Sequence, residues 1–223
     1  MNWVNKDTEI YCSFAKKAGN TGCQMMNSAF YYHGLNKIYK SFSVDNIKDA
    51  ISAVKTLNIK GFAITMPYKK EVLEFVDEMD YNVEGIGAAN TVINKEGKLI
   101  AYNTDYLAAL KYLSYYKYTA KGWDSFYILG NGGYALAVQA AAKELDMEFT
   151  NITRDNWDWD TVTSIKNSLI YNCTPLEQLS KLSENNVFID CIATTTTGHK
   201  LATMQASHQY KLYTKLEFPW KIT

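Results

Sequence analysis

The stretch Gly130-Asn131-Gly132-Gly133-Tyr134-Ala135 has the residue types and spacing that most directly suggest chemistry. It satisfies G-x-G-x-x-G/A, follows the apolar run SFYILG (125–130), and opens an alanine-rich segment of helical character (133–145). In that context Gly130 lets the chain turn tightly and Gly132 lets a pyrophosphate approach the backbone. Ala135 lets the helix lie close to the strand. The helix start, at Gly133, then offers free N–H groups and the positive end of its dipole to phosphate oxygens. The same residues would also suit a glycine-rich strand–helix turn that holds no ligand. The end of the following strand (147–153) distinguishes the dinucleotides. A carboxylate there accepts the ribose hydroxyls of NAD, whereas an arginine pairs with the 2′-phosphate of NADP. This strand is followed by Arg154, the sole arginine beside 22 lysines. Its guanidinium can make bidentate hydrogen bonds that a lysine cannot. NADP is therefore the expected cofactor. Asp155 either pairs with Arg154 or repels a phosphate, and a solvated loop arginine is the plain alternative.

The elements that must position these residues read as an alternation of strands and helices. Strands are expected at 8–13, 37–43 and 61–65, with a loop over 14–23. Helices are expected at 24–33, stopped by Gly34, at 44–57, where Asp45 can support the start, and at 69–79. NTVIN (90–94), KEGK (95–98) and LIAYN (99–103) read as a hairpin, and a helix over 105–117 leads out of this first unit. From about residue 124 the order is strand 125–130, helix 133–145, strand 147–153, a short helix within 157–166, strands 168–174 and 187–193, and a last helix 198–214. That order argues for a parallel α/β sheet.

Composition excludes several classes. The chain has 223 residues, 47% hydrophobic and 21% charged, so it is neither disordered nor fibrous. Lys and Arg number 23 against 23 Asp and Glu, which gives no pull toward nucleic acid or an anionic membrane. No apolar run reaches the roughly 18–20 residues of a membrane span, and MNWVNKDTEIY lacks a signal-peptide pattern. Cys12, Cys23, Cys173 and Cys191 form no CxxC and read as reduced thiols of a cytoplasmic protein. No His/Cys/Asp cluster has metal-ligand spacing, so no metal is expected.

Two further stretches carry information: Gly61-Phe-Ala-Ile-Thr65-Met-Pro67-Tyr-Lys69-Lys70, and Gly87-Ala-Ala-Asn90-Thr91 through the hairpin to Asn103-Thr104-Asp105. With the 130–133 turn, they resemble the shikimate dehydrogenase family. That family shows G-x-N-V-T-x-P-x-K, A-x-N-T, N-T-D and G-x-G-G in this order. Ala63-Ile64 stands where Asn-Val is usual. The resemblance implies an α/β protein of two parts: an N-terminal α/β substrate domain (1–106) and a reduced Rossmann-like parallel-sheet domain (107–197), with a cleft between them. A C-terminal helix (198–223) returns to the first. It implies reversible hydride transfer between NADP(H) and a ring hydroxyl of shikimate or a similar cyclic hydroxy acid, as in aromatic amino acid biosynthesis.

By the same resemblance Lys69 and Asp105 are the catalytic pair. Oxidising a secondary alcohol requires removal of its hydroxyl proton, which a lysine can take while a carboxylate positions the ammonium. Read alone, Lys69 is a helix-start surface lysine and Asp105 a helix cap. Thr65 and Asn90 look like contacts to ring hydroxyls. Gln205 matches the substrate-binding glutamine of the family's final helix, G-x-x-M-L-x-x-Q. Asn172-Cys173-Thr174-Pro175 resembles N-x-T-P-x-G, which implies that Thr174 borders the cofactor. Glu177 replaces that motif's glycine.

Three departures stand out. The family's S-x-S for the substrate carboxylate is reduced to Ser13-Phe14-Ala15. Lys16, Lys17 or Thr21 in the longer loop that follows, similar to a shikimate dehydrogenase-like branch, could complete the contact. The D-x-x-Y tyrosine is absent from Asp190-Cys-Ile-Ala193. Only 13 residues separate Arg154 from Ser168, and seven separate Asp190 from Gly198, so the second unit reads as trimmed to about four strands. Trimming predicts weak NADP binding or none, while the glycine turn and Arg154 argue that some persists. The competing expectation is a metabolite-binding protein without turnover. The partner is a small molecule in either case, in a monomer or homodimer.

Overall fold

The computed structural model describes residues 4–119 and 122–222. The signal-pattern reading begins in residues 1–3, outside the described residues. The chain divides into two compact units: Met1–Thr104 together with Gln205–Thr223, and Asp105–Met204.

The first unit contains β1 (Glu9–Ala15), α1 (Thr21–Tyr32), β2 (Lys37–Ser43), α2 (Ile47–Thr56), β3 (Gly61–Ile64), β4 (Glu78–Met79), α3 (Tyr81–Ile86), β5 (Thr91–Lys95) and β6 (Lys98–Tyr102). Its sheet has the order β2-β1-β3-β5-β6-β4. β1 runs parallel to β2 and β3, β5 is antiparallel to β3 and β6, and β4 is parallel to β6. Strand alternation sends Phe14, Phe62 and Val92 to one face, where they pack with Ile47, Ile51 and Val54 of α2. Tyr11 and Tyr39 go to the other face, against Met26 and Phe30 of α1 and Tyr210 and Tyr213 near the C-terminus. The hairpin forms as its sequence demands. Glu96 (φ 55°) and Gly97 (φ 92°) both take positive φ, the requirement of a type I′ turn.

The second unit comprises α4 (Thr104–Thr119, from Asp105 on), β7 (Ser125–Leu129), α5 (Gly133–Glu144), β8 (Thr150–Ile152), α6 (Trp159–Thr163), β9 (Ser168–Asn172) and β10 (Val187–Asp190). It ends within α7 (Thr196–Thr214), whose later residues belong to the first unit. The four strands lie in the order β10-β9-β7-β8, all parallel. The alanine-rich face of α5 is buried (Ala137, Val138, Ala141), and Leu129, Ile152, Ile170 and Val162 form an apolar cluster. Among the described residues, no helix is long and apolar enough to cross a membrane.

Several expectations are corrected. No helix runs over 69–79. A turn is followed by a short 3-10 segment, Glu71–Phe75, and Val76 is extended (ψ 151°). The sheet edge draws this chain in: Asp77 accepts the Leu99 N–H at 2.7 Å through its carboxylate, and Glu78 pairs with Ile100. The expected loop over 14–23 is shorter, because β1 runs to Ala15 and α1 starts at Thr21. Asp45 does not support α2. Asn46 caps it, accepting from Lys48 N (2.8 Å) and Asp49 N (3.3 Å), while Asp45 pairs with Lys16 at 2.6 Å.

Candidate functional site

In the first unit a buried polar network joins three separated parts of the sequence. Asn90, 3% exposed, ends the approach to β5. Its Nδ2 donates to Thr104 Oγ1 (2.9 Å) and Gln205 Oε1 (3.2 Å). Its Oδ1 accepts from Thr104 N (2.7 Å) and Thr91 Oγ1 (3.0 Å). The Thr104 hydroxyl has one proton, shared between Asn90 Oδ1 (3.1 Å) and Gln205 Oε1 (3.3 Å). Gln209 closes the network, donating to Thr91 Oγ1 (2.9 Å) and Asn90 O (3.3 Å). Asn103 Nδ2 donates to Ala88 O at 2.8 Å. The start of α4 is therefore held by side chains, and Asp105, buried at 5% exposure, is the next residue in the chain.

Lys69 is half-buried in the turn after β3. Backbone bonds pin that turn: Thr65 N to Phe14 O (3.1 Å), Tyr68 N to Thr65 O (3.0 Å), and Ala89 N to Lys69 O (2.8 Å). The last bond ties the Lys69 backbone to the residue before Asn90. Thr65 is exposed at the end of β3. Ser13, on β1, lies in register with Ser41 and Ala63, and its hydroxyl meets the Tyr39 phenol, which burial pushes up. A Cβ on Gly22, in the first turn of α1, would stand 3.9 Å from the Tyr39 hydroxyl, so Ser13 and the α1 N-terminus share a neighbour. That N-terminus has no side-chain cap bond and no acidic residue in its first turn. Among Lys16, Lys17 and Thr21, Lys16 is engaged by Asp45, and Thr21 is the first residue of α1.

In the second unit, the chain passes from β7 to β8 on one side, then crosses to β9 on the other. The carboxyl ends of β7 and β9 flank the point where connections diverge, where open α/β sheets bind ligands. Gly130 leaves β7 at φ +115°, and a Cβ there would stand 3.2 Å from Thr174 Cγ2 and 3.4 Å from Cys173 O. Conformation and close approach both require glycine. Gly132 is the N-cap of α5 (φ −80°), and a Cβ there would meet nothing within 4 Å. Asn131 is exposed between them, and Gly133 is the first helical residue. The N-terminus of α5 has neither a side-chain cap bond nor an acidic residue in its first turn. Open space before uncapped amides fits a phosphate.

Beside this turn, Asn151 Nδ2 donates to Gly130 O (3.1 Å), while its Oδ1 is buried without a partner among the described residues. Arg154 is exposed in the turn after β8. Asn156 holds that turn, accepting from Thr153 N and donating to Asn151 O (3.0 Å). Among the described residues Arg154 and Asp155 form no ion pair. Thr174 donates its hydroxyl proton to Asn172 Oδ1 (2.7 Å) and so presents its methyl group to Gly130. Asn172 is fully buried and donates to Asp190 Oδ1 (3.1 Å). Burial raises the Asp190 carboxyl above the usual range, against the hydrogen bonds it accepts from Ile192 N, Asn172 and Cys191 N. No group of three or more His, Cys, Asp or Glu among the described residues could hold a metal ion.

Residues 21–92 match the shikimate dehydrogenase substrate binding domain. A shikimate dehydrogenase-like protein of Haemophilus influenzae is 37% identical over 153 residues, which is 69% of this chain and 56% of that protein. The shikimate dehydrogenase (NADP(+)) of Pyrococcus furiosus is 39% identical over 137 residues, 60% of this chain and 50% of that protein. The structure of a shikimate 5-dehydrogenase-like protein superposes with a TM-score of 0.78 at 26% identity, covering 96% of this chain and 94% of that one. These findings support the shikimate dehydrogenase family for this chain. Its sequence alignments span about half the length of these curated relatives. Within the family pattern, Asn90 and Gln205 are brought together, and so are Gly130 and Thr174. Thr91, Thr104, Gln209, Asn172 and Asp190 were not singled out as site residues. Only Gln209 carried a simple signal: it stands four residues after Gln205, on the same helix face.

Proposed function

We propose that this chain is an NADP-dependent oxidoreductase acting on shikimate or a similar cyclic hydroxy acid, with hydride moving between the cofactor and a ring hydroxyl or ketone. One observation carries the reading: Asn90 binds Thr104, one residue before Asp105, and Gln205 in a single buried network. Buried polar groups must be satisfied, and a network of this kind fixes its members in one arrangement. Three segments that the family pattern marks are thereby held by one side chain.

Lys69 takes the proton of the substrate hydroxyl, and Asp105 orients the resulting ammonium. Thr65 and Gln205 supply neutral donors and acceptors to the remaining hydroxyls, as a polyol ring requires, and Asn90 joins them by exchanging its bond to Gln205 for one to a ring hydroxyl. Ser13 and Thr21, with the uncapped N-terminus of α1, hold the substrate carboxylate. Gly130, Asn131, Gly132 and Gly133 receive the pyrophosphate at the start of α5, Arg154 pairs with the 2′-phosphate, and Thr174 walls the turn. When bound, NADP supplies the hydride acceptor. The NADP(+) in the name of the Pyrococcus furiosus relative supports this cofactor. A cytoplasmic setting follows from the same reading.

The test is ligand-induced change in melting temperature with NADP, NAD, shikimate and quinate. A ligand at 100 times its Kd adds about 2.7 kcal/mol to the native state. For a chain of this size that is about 2–4 °C per kcal/mol. Stabilisation by NADP and shikimate together is expected. A folded protein that none of the four stabilises contradicts the proposal.

A further inference from the structure

The second unit carries one cysteine at the carboxyl end of β9 and another at that of β10, and both are thiols in this structure. The ladder ends with Asn172 opposite Asp190, and Cys173 and Cys191 each follow one residue past their strand ends. The Cys191 N–H donates to Asn172 O at 3.1 Å, a bond of the Asn172–Asp190 pairing that keeps Cys191 at the end of β9, next to the residue before Cys173. Neighbouring strands lie about 4.8 Å apart, within the roughly 4.4–6.8 Å between Cα atoms that a disulfide spans.

Side chains alternate between faces along a strand. Asn172 and Asp190 share one face, where they are hydrogen-bonded to each other. The two cysteines therefore share the other, and both sulfurs act electrostatically on the buried phenols of Tyr134 and Tyr171 there. Those phenols lie 2.9 Å from each other. Each sulfur rests on a carbonyl by a weak contact, Cys173 Sγ on Tyr171 O (3.9 Å) and Cys191 Sγ on Thr174 O (3.7 Å). Rotation about one side-chain bond gives up either contact. Both cysteines are partly exposed, whereas Cys12 is fully buried.

We propose that Cys173 and Cys191 form a reversible disulfide, a redox modification site at the carboxyl edge of the parallel sheet. Hydrogen peroxide oxidises one thiol to a sulfenic acid and releases water. The second thiol attacks that sulfur, the S–S bond forms as the S–O bond breaks, and a second water leaves with the thiol proton. Two thiols and one peroxide thus give one disulfide and two waters, and a dithiol reductant reverses the change by exchange. The bond takes Cys191 from Thr174 O and draws Cys173 toward β10. The Cys173 carbonyl is one wall of the Gly130 turn. The oxidised form therefore binds the dinucleotide more weakly. This last consequence rests on the cofactor reading, but formation of the bond does not.

The test treats the full chain with limiting hydrogen peroxide and maps its peptides by mass spectrometry. A Cys173–Cys191 linked peptide is expected, lighter by two hydrogens, released by dithiothreitol, and absent from Cys173→Ser and Cys191→Ser. NADP binding, read from the melting temperature, is expected to weaken roughly tenfold on oxidation of the wild type and to be unchanged by peroxide in both variants. Thiols that stay reduced, that pass to sulfinic acid, or that link to Cys12 or Cys23 overturn the site. A linked peptide with equal NADP response in both redox forms overturns the consequence alone. A linked peptide in a protein that ignores NADP even when reduced leaves the site standing and contradicts the cofactor reading.

Discussion

Asn90 carries more of the proposed site than any other residue. Among the described residues its side chain is the only acceptor for the buried Thr104 N–H, so Asn90→Ala strands that donor. A buried unsatisfied group costs about 1–3 kcal/mol, and the expected result is a loss of that size in chemical denaturation, with a raised KM for substrate. Unchanged stability would show that water replaces the amide. Asp190 makes a second prediction. Burial raises its carboxyl, so the folded state binds the proton more tightly than the unfolded chain. From the ordinary carboxylate range up to the raised value, stability contributed by this group then falls as pH rises. Asp190→Asn keeps an acceptor for Asn172 and removes the slope. Melting curves of the two proteins should coincide at low pH and separate in favour of the variant toward neutrality; parallel curves would contradict this. The polar residues of A-N-T and N-T-D were legible through their order and spacing, which match the family's motifs. Their bonding was not. Gln209 shares a helix face with Gln205, but its burial is set by the packing of α7 and not by the local sequence.

At the scale of the element, the β7–α5 turn separates conformation from binding. Gly130→Ala meets both φ +115° and Thr174 Cγ2 at 3.2 Å, so it should destabilise the second unit whether or not ligand is present. Gly132→Ala puts a methyl group into open space at φ −80°, so it should leave the melting temperature of the ligand-free protein unchanged and abolish the response to NADP. If Gly132→Ala also destabilises the free protein, the space has a structural use. This turn could be read in advance because strand, glycines and alanine-rich helix all lie within one local stretch. The 69–79 segment could not. Its apolar residues fit a helical period, but the pairing of Glu78 with Ile100 is set by β6, twenty-odd residues further along, and a local pattern holds no record of it. α3 leaves little local signal because it is six residues long, with Gly85 inside it and Gly87 at its end.

For the whole molecule, the strand count of the second unit followed from its four apolar runs and from spacing set against the family pattern, since too few residues separate Arg154 from Ser168 for the usual helix, strand and helix. A four-stranded sheet offers less surface to the adenosine half of a dinucleotide, so the proposed function gives Arg154 much of the selectivity. Arg154→Ala should lower the NADP-induced rise in melting temperature and leave that with NAD unchanged; an equal loss with both would assign Arg154 a general charge effect. The two units divide inside α7, between Met204 and Gln205, and a continuous helix shows no break in its sequence to mark that point. The central claim is catalysis by Lys69. Its most direct test is shikimate-dependent reduction of NADP, followed at the nicotinamide absorbance, in the wild type and in Lys69→Ala. The account predicts turnover in the wild type and a kcat roughly 100- to 10,000-fold lower in the variant, with NADP binding retained. Wild-type turnover that survives the substitution would contradict the assignment of Lys69, and a folded wild type that binds both ligands without turnover would contradict the dehydrogenase itself.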